Sequence, residues 1–469
     1  TAPDPDGSDV SGRCPPDCDY ADDSEERDEA LAEATGTTNL VQIKAKLEKI
    51  FEQTSVNPAL VYAFFVPADA VSPNLDGSLV KENKLKTKAD KATTQWEFKG
   101  DRLIDFLNAE DRFFNPNEAL DDDDVLELVM VTAKGKVVRY RLANATRSKV
   151  MAEARKFVRG VTNVRSGTTY IKPAQYLYDV FLRPLEADLE KENIKNISFI
   201  MDDGLRSLPI AALHDGEKFV VEKYSVGLMP SFSLTNVSEY VEPSNNLLLA
   251  MGASEFPDQI DLPAASLEAR LIANEIWQNG GGDALLNQRF TVKELIEARS
   301  RKPYGIIHLA THGDFRSGAT GESYIQFKNE RVAFNDLQRL QLGNPPIELL
   351  VLSACRTAFG DRDAELGFAG LALASGAKSV IGSIWSVDDA GTMGLMTGLY
   401  EALQINPTKA QALQQAQIAL LHGEVRQEGA QLITQKGAIL LPPEYAQLGL
   451  SDLSHPYYWS GFTIVGNPW

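Results

Sequence analysis

The sequence predicts an α/β protein built on a mainly parallel central sheet, and three observations carry that expectation. Short apolar runs of strand length recur along the chain. From residue 245 onward they alternate with stretches of helical periodicity, as βα units do. Two runs, Tyr304-Gly-Ile-Ile-His-Leu-Ala-Thr-His-Gly-Asp314 and Ile347-Glu-Leu-Leu-Val-Leu-Ser-Ala-Cys-Arg356, are largely apolar, the pattern of strands covered by helices on both faces.

Taken in order, residues 1–35 read as an acidic tail. Leu40, Ile43, Leu47, Ile50 and Phe51 fall at helical spacing, and 60–66 is a strand. Residues 70–101 are polar, with Gly and Pro breaks, and suit a loop or hairpin. The four acids at 121–124 make a solvated turn before a strand at Val125–Thr132, which returns over 137–142. Helices are expected at 148–159 and 174–190, the second kinked or split by Pro184. A strand at Asn196–Met201 is followed by a turn, and 216–234 suggests two short hairpin strands. The alternating part then predicts strands at 247–251, Tyr304–Ala310, 349–352, 378–385 and 462–465. Helices are expected at 265–279, 292–299, 368–375, 390–402 and 408–422. The glycine-rich 278–283 lacks the Lys-Ser/Thr of a phosphate loop and reads as a helix stop and turn.

The chain has 469 residues, enough for two or three domain-sized units, and its 43% hydrophobic and 24% charged content is that of a globular protein. No apolar stretch approaches the roughly 18–20 residues of a membrane span. The net charge of −19 argues against nucleic acid or an anionic membrane surface as main partner. Within 1–35 twelve acids face Arg13 and Arg27. Such a segment has too little apolar surface to offset its ordering entropy, so it is expected to be disordered when free. It serves either as a solubilising leader or as a docking strand. Two of the three cysteines, Cys14 and Cys18, lie there, leaving Cys355 as the single thiol of the globular body. The chain opens on Thr1 without a charged-then-apolar leader. With the cysteine pair, this favours an exported protein over a cytoplasmic one. The divisions expected are 1–35, an N-terminal α/β region at 36–195, and a catalytic region at 196–469.

The chemistry centres on His312 and Cys355. Each follows a predicted parallel strand, and active sites of such sheets lie beyond the carboxyl ends of the strands. A free thiol has a pKa of about 8.5 and needs a base, which an imidazole supplies. Gly313 and Cys355 offer backbone N–H groups for an oxyanion hole, where one donor contributes about 2.7–4 kcal/mol. Ser353 and Ala354 are small enough to let a peptide approach the thiol. Asp314 is placed to orient His312, or simply to form a turn. Trp385, Ser386, Asp388 and Asp389 end another strand on the same edge and are expected to wall a substrate cleft. The two aspartates equally suit the start of a helix. His308 and His312 share the spacing of a zinc helix, but on a strand and without a following Glu, so no metal is expected and His308 reads as a core histidine.

In order along the chain stand Phe199-Ile-Met-Asp-Asp-Gly-Leu-Arg-Ser-Leu-Pro-Ile-Ala-Ala-Leu213, His308-Leu-Ala-Thr-His-Gly313 and Leu352-Ser-Ala-Cys-Arg-Thr357. Gly367-Phe-Ala-Gly-Leu-Ala372, Gly376-Ala-Lys-Ser-Val-Ile-Gly-Ser-Ile-Trp385 and His455-Pro-Tyr-Tyr-Trp-Ser-Gly-Phe462 follow. Together they resemble the CHAT family, caspase-like domains of bacteria, over roughly residues 120–469. The resemblance implies a caspase-like three-layer sandwich with a mainly parallel central sheet, preceded by a smaller pseudo-caspase-like α/β region. It implies a dyad of His312 as general base and Cys355 as nucleophile, with Gly313 and Cys355 as oxyanion donors and no cofactor. The segment from Trp385 to Asp389 is similar to the separase-type Trp-x-Val-x-Asp loop beside the specificity pocket. The acid that reads a basic side chain in separase-like relatives has no counterpart in Gly391-Thr-Met-Gly394. By the same resemblance, the loop 356–367 with Arg362 is a candidate for activating self-cleavage. The function so implied is a cysteine endopeptidase with a protein or peptide substrate and a possible regulatory partner protein. The alternatives are a non-catalytic caspase-like interaction or structural module, or another acyl transfer.

Overall fold

The structure is a computed structural model that describes residues 40–69, 79–84, 93–98, 121–202, 204–232, 235, 240–278, 281–314, 323–354, 370, 373, 375–443 and 452–469. The acidic tail with Cys14 and Cys18, Cys355 and the loop 356–367 lie outside these residues, as does most of the helix expected at 368–375.

Thirteen strands form one mixed, mostly parallel sheet. In chain order the strands of the first part are β1 (Pro58–Val66), β2 (Leu79–Lys84), β3 (Thr93–Phe98), β4 (Val125–Thr132), β5 (Val137–Thr146), β6 (Asn196–Met201) and β7 (Ser225–Leu228). The second part adds β8 (Leu247–Gly252), β9 (Gly282–Leu286) and β10 (Tyr304–Ala310). A small sheet of β11 (Gly313–Asp314), β12 (Tyr324–Gln326) and β13 (Arg331–Ala333) follows. Then come β14 (Leu349–Ser353) and β15 (Ser379–Ser383), a second small sheet of β16 (Arg426–Glu428), β17 (Gln431–Thr434) and β18 (Gly437–Leu440), and finally β19 (Phe462–Gly466). The large sheet runs β2-β3-β5-β4-β1-β6-β7-β19-β15-β14-β10-β8-β9.

Its character changes along that order. From β2 to β1 every pair is antiparallel. From β15 through β14, β10 and β8 to β9 every pair is parallel, while β15 meets β19 on its other side antiparallel. The strands β8, β10 and β14 are buried almost throughout, which is why they read as unbroken apolar runs rather than as alternating ones. The boundary drawn at 195/196 separates β1 from β6, which are paired in parallel within the same half of the sheet.

Described helices cover the sheet: α1 (Leu40–Thr54), α2 (Arg147–Val161), α3 (Ile171–Phe181), α4 (Glu186–Lys191), α5 (Pro263–Leu271), α6 (Val292–Arg301), α7 (Asp389–Leu403), α8 (Lys409–Leu421) and α9 (Pro456–Trp459). The buried positions of α1 are Leu40, Ile43, Leu47, Ile50 and Thr54; the first four belong to the stripe visible in the sequence, while its fifth member, Phe51, is exposed. Pro184 does split the helix expected at 174–190: it sits in a 3-10 turn, Arg183–Leu185, between α3 and α4.

Two expectations change. The segment 216–234 holds one strand rather than a hairpin. His214 and Phe219 form only an isolated bridge, and β7 pairs in parallel with β6, whose open edge offers a full ladder. The helix expected at 265–279 ends earlier, with α5 running into a π-helical turn, Ile272–Ile276. Beyond it, Gly282 opens an edge strand where a turn was expected. A Cβ at Gly282 would lie 2.3 Å from the carbonyl oxygen of Ala273, so only glycine lets the strand pass this close to the helix.

Candidate active site

Three neighbouring parallel strands, β10, β14 and β15, end on one edge of the sheet. Ala310 is in register with Ser353, and Leu352 with Gly382. Thr311 then ties the tips together. Its N–H donates to Ser353 O at 3.2 Å, and its hydroxyl donates to Gln326 O at 2.5 Å. Residues 312 and 355 each follow the registered pair Ala310/Ser353 by two positions.

His312 is half-buried on this edge. Its Nε2 lies 2.6 Å from Ile260 O, and the ring of Phe256 meets it edge-on with centroids 5.0 Å apart. A carbonyl only accepts, so Nε2 carries the hydrogen and Nδ1 is the basic nitrogen. Burial lowers the pKa of the ring below its ordinary 6.5, and the bond to Ile260 opposes that shift. The imidazole is therefore neutral at pH 7, as a general base must be. The acceptor at Nε2 is a backbone carbonyl, Ile260 O, and not the carboxylate of Asp314, for which orienting the ring was one of two roles open. Asp314 itself lies in β11, opposite Tyr324.

Gly313 leads into the small sheet. Gln326 N–H donates to His312 O at 2.9 Å, so the next pair, Gly313 with Ile325, is of the non-hydrogen-bonded kind. The ladder does not use the Gly313 N–H, which stays compatible with the donor role expected for it.

Cys355 lies outside the described residues. The residues before it are described. Ser353 and Ala354 are buried, at 8% and 3% exposure, and the Ser383 hydroxyl donates to Ala354 O at 2.6 Å. Their side chains pack a central strand tip.

The loop after β15 leaves the same edge. Trp385 was expected to wall a cleft, but its indole is buried, donates to Tyr457 O at 3.2 Å and packs on Gly461. Ser386 is exposed, and its carbonyl accepts from the Tyr457 hydroxyl at 2.9 Å. Asp388 is the N-cap of α7, accepting from Gly391 N–H at 2.8 Å. Asp389 is the first residue of that helix. Ser386 and Asp388 are exposed, Asp388 while already serving as a cap.

His308 is fully buried, 2.9 Å from Glu268 through Nε2. Among the described residues no three His, Cys, Asp or Glu side chains come together as a metal site would require. No helix among them is long and apolar enough to cross a membrane.

No residue pattern marks Ile260, Phe256 or Ser383. Ile260 acts through its backbone, which any residue type would supply; Phe256 is an ordinary core type, and Ser383 is a common polar residue whose buried role comes only from the fold.

With this geometry in hand, comparisons with known proteins add the following. The family model of the CHAT domain matches residues 172–467. A search of curated proteins found no match. Among solved structures, similarity extends to the Arg-specific cysteine proteinase gingipain R at 14% identity, covering 64% of this chain and 68% of that one, with a TM-score of 0.39. The RgpB pro- and mature domains of Porphyromonas gingivalis give 14% identity over 63% and 69% of the two chains, with a TM-score of 0.37. The Saccharomyces cerevisiae separase–securin complex gives 9% identity, covering 94% of this chain and 31% of that one, with a TM-score of 0.45. This chain thus spans about a third of that separase chain.

Proposed function

The chain belongs to the CHAT domain family, and from that premise we propose that it is a cysteine endopeptidase acting through Cys355 and His312. The supporting observation is the state of His312. At the tip of a strand next to the one that leads to Cys355, a neutral imidazole is held by Ile260 O at Nε2 and keeps Nδ1 as its base.

In this mechanism the Cys355 thiol gives its proton to His312 Nδ1 as the sulfur attacks the scissile carbonyl carbon. The new C–S bond pushes the carbonyl electrons onto oxygen. The N–H groups of Gly313 and Cys355 stabilise that oxyanion. Collapse breaks the C–N bond, and the imidazolium returns its proton to the leaving amine. Water, deprotonated by the same imidazole, then hydrolyses the thioester acyl-enzyme and frees the thiol. Half-burial disfavours the imidazolium, which favours proton transfer back to the leaving amine.

A peptide-library cleavage profile tests this. The native chain is expected to cut. Cys355→Ala is expected to abolish cleavage, and His312→Ala to slow it by about 10²–10⁴-fold, the usual contribution of a positioned acid–base group. Equal cleavage by native protein and Cys355→Ala, or none by either, would overturn the proposal.

A further inference from the structure

A buried polar pair lies under the site and takes no part in the chemistry just described. Glu268 of α5 and His308 of β10 are 2% and 0% exposed, with Oε1 2.9 Å from Nε2. The carboxylate at Nε2 assigns the hydrogen there, and His308 Nδ1 has no hydrogen-bond partner. The ring of Tyr400 from α7 meets the imidazole edge-on, centroids 5.4 Å apart. A buried pair of this kind stabilises a fold no better than a well-packed apolar pair would, and it leaves one ring nitrogen unsatisfied. Stability alone does not account for it, but placement does.

The two elements it joins are the two that build the base. β10 ends two residues before His312. α5 begins at Pro263, three residues after Ile260, whose carbonyl holds the His312 ring. The root of the intervening loop is closed: Leu262 N–H donates to Ser254 O at 2.8 Å, and the hydroxyls of Ser254 and Ser266 are 2.5 Å apart. Ties on the other side, from Gln259 to Gln326 at 3.0 Å and from Lys328 to Glu255 O at 2.5 Å, run to the small sheet and its flank. The polar fastening between α5 and β10 themselves is Glu268 on His308.

We propose that Glu268 is a positioning residue: by gripping His308 it sets α5 against β10 and so keeps the Ile260 carbonyl on His312. The consequence for catalysis rests on the endopeptidase reading; the placement itself does not.

The test is nitrogen NMR of the His312 ring across pH in the full chain labelled at its histidines, with His312→Ala assigning the signal among the five histidines. The native ring is expected to show the Nε2–H tautomer and a midpoint below 6.5. Glu268→Gln still accepts from His308 and should keep both. Glu268→Leu cannot accept; the His312 tautomers should move toward an even mixture, and the midpoint should fall further as the carbonyl drifts from the ring. Where peptide cleavage is measured, kcat should fall and KM hold, because a misplacement on the order of 1 Å costs up to about 10²-fold in rate. Should Glu268→Leu not fold, Glu268→Asp keeps the charge but shortens the reach, and should shift the tautomer the same way by less. A folded Glu268→Leu or Glu268→Asp with the native His312 signature would overturn the proposal, as would Glu268→Gln losing that signature as fully as Glu268→Leu. Absence of cleavage alongside a His312 ring that responds as described would sink the endopeptidase reading and leave this one standing.

Discussion

At the scale of single residues, the behaviour of His312 is decided by a competition. Burial removes water from the ring and lowers its pKa below 6.5, and the Ile260 carbonyl offsets part of that by favouring the protonated form. A base works only while unprotonated, so activity should be present above the folded midpoint and lost as pH falls through it. The acid limb of kcat/KM is therefore expected below 6.5, and a limb above that value would contradict the burial argument. Linkage has the same sign. A histidine whose folded pKa is depressed adds stability above 6.5, and that stability is lost as pH falls through the folded value. A second residue-scale prediction concerns Gly461. A Cβ there would lie 2.9 Å from the Trp385 ring, and Ile384 N–H also donates to the Gly461 carbonyl at 2.8 Å, so neither side can yield easily. Gly461→Ala should cost about 1–3 kcal/mol by overpacking, read as a lower urea midpoint with unchanged slope. An unchanged midpoint would show that Trp385 has room to turn.

At the scale of elements, α7 is where two readings of one residue separate. Asp388 accepts from Gly391 N–H as an N-cap and is also exposed on the edge that carries His312. Asparagine caps a helix about as well as aspartate but carries no charge. Asp388→Ala should cost about 0.5–2 kcal/mol, while Asp388→Asn should stay near native stability. If Asp388 only caps, Asp388→Asn also keeps the peptide-library preference; a loss of basic substrates in that variant would give the carboxylate a recognition role. The elements also show what a sequence makes legible. β10 and β14 were visible because strands buried on both faces are largely apolar, with His308 and Ser353 as the polar exceptions. Pro184 marked a break because its ring cannot continue a helix. β9 was hidden because Gly-Asp-Ala-Leu-Leu lacks the branched residues of a strand and takes its shape from β8 beside it. In the site, His312 and Gly313 were legible as chemistry-bearing types at a strand end. The Ile260 carbonyl was not, since a backbone group leaves no mark on residue type, and only the tertiary path of the loop brings it to the ring.

At the scale of the whole molecule, the strand order makes one body of what the sequence suggested as two regions. β19, the last element in the chain, lies between β15 and β7 and so joins the parallel half of the sheet to the other. The chain then carries Trp469 into a second core with Leu47, Leu60, Tyr62, Ile200 and Phe232. Its indole N–H donates to the Asn196 side-chain oxygen at 2.9 Å, with both residues buried. Residues far apart in sequence thus share one core, and neither half closes its sheet without the other. Unfolding in urea should therefore be a single transition, with far-UV circular dichroism coinciding with the fluorine-labelled signals of Trp277, Trp385 and Trp459. Trp469→Ala removes a large buried side chain from the first half's core and should cost about 3–5 kcal/mol. Because the sheet is continuous, that loss should lower the midpoint equally for the tryptophan signals of the other half. If the far-UV transition splits, or only its early part moves while the three signals keep the native midpoint, the halves unfold separately and the junction at β19 and β7 is too weak to couple them.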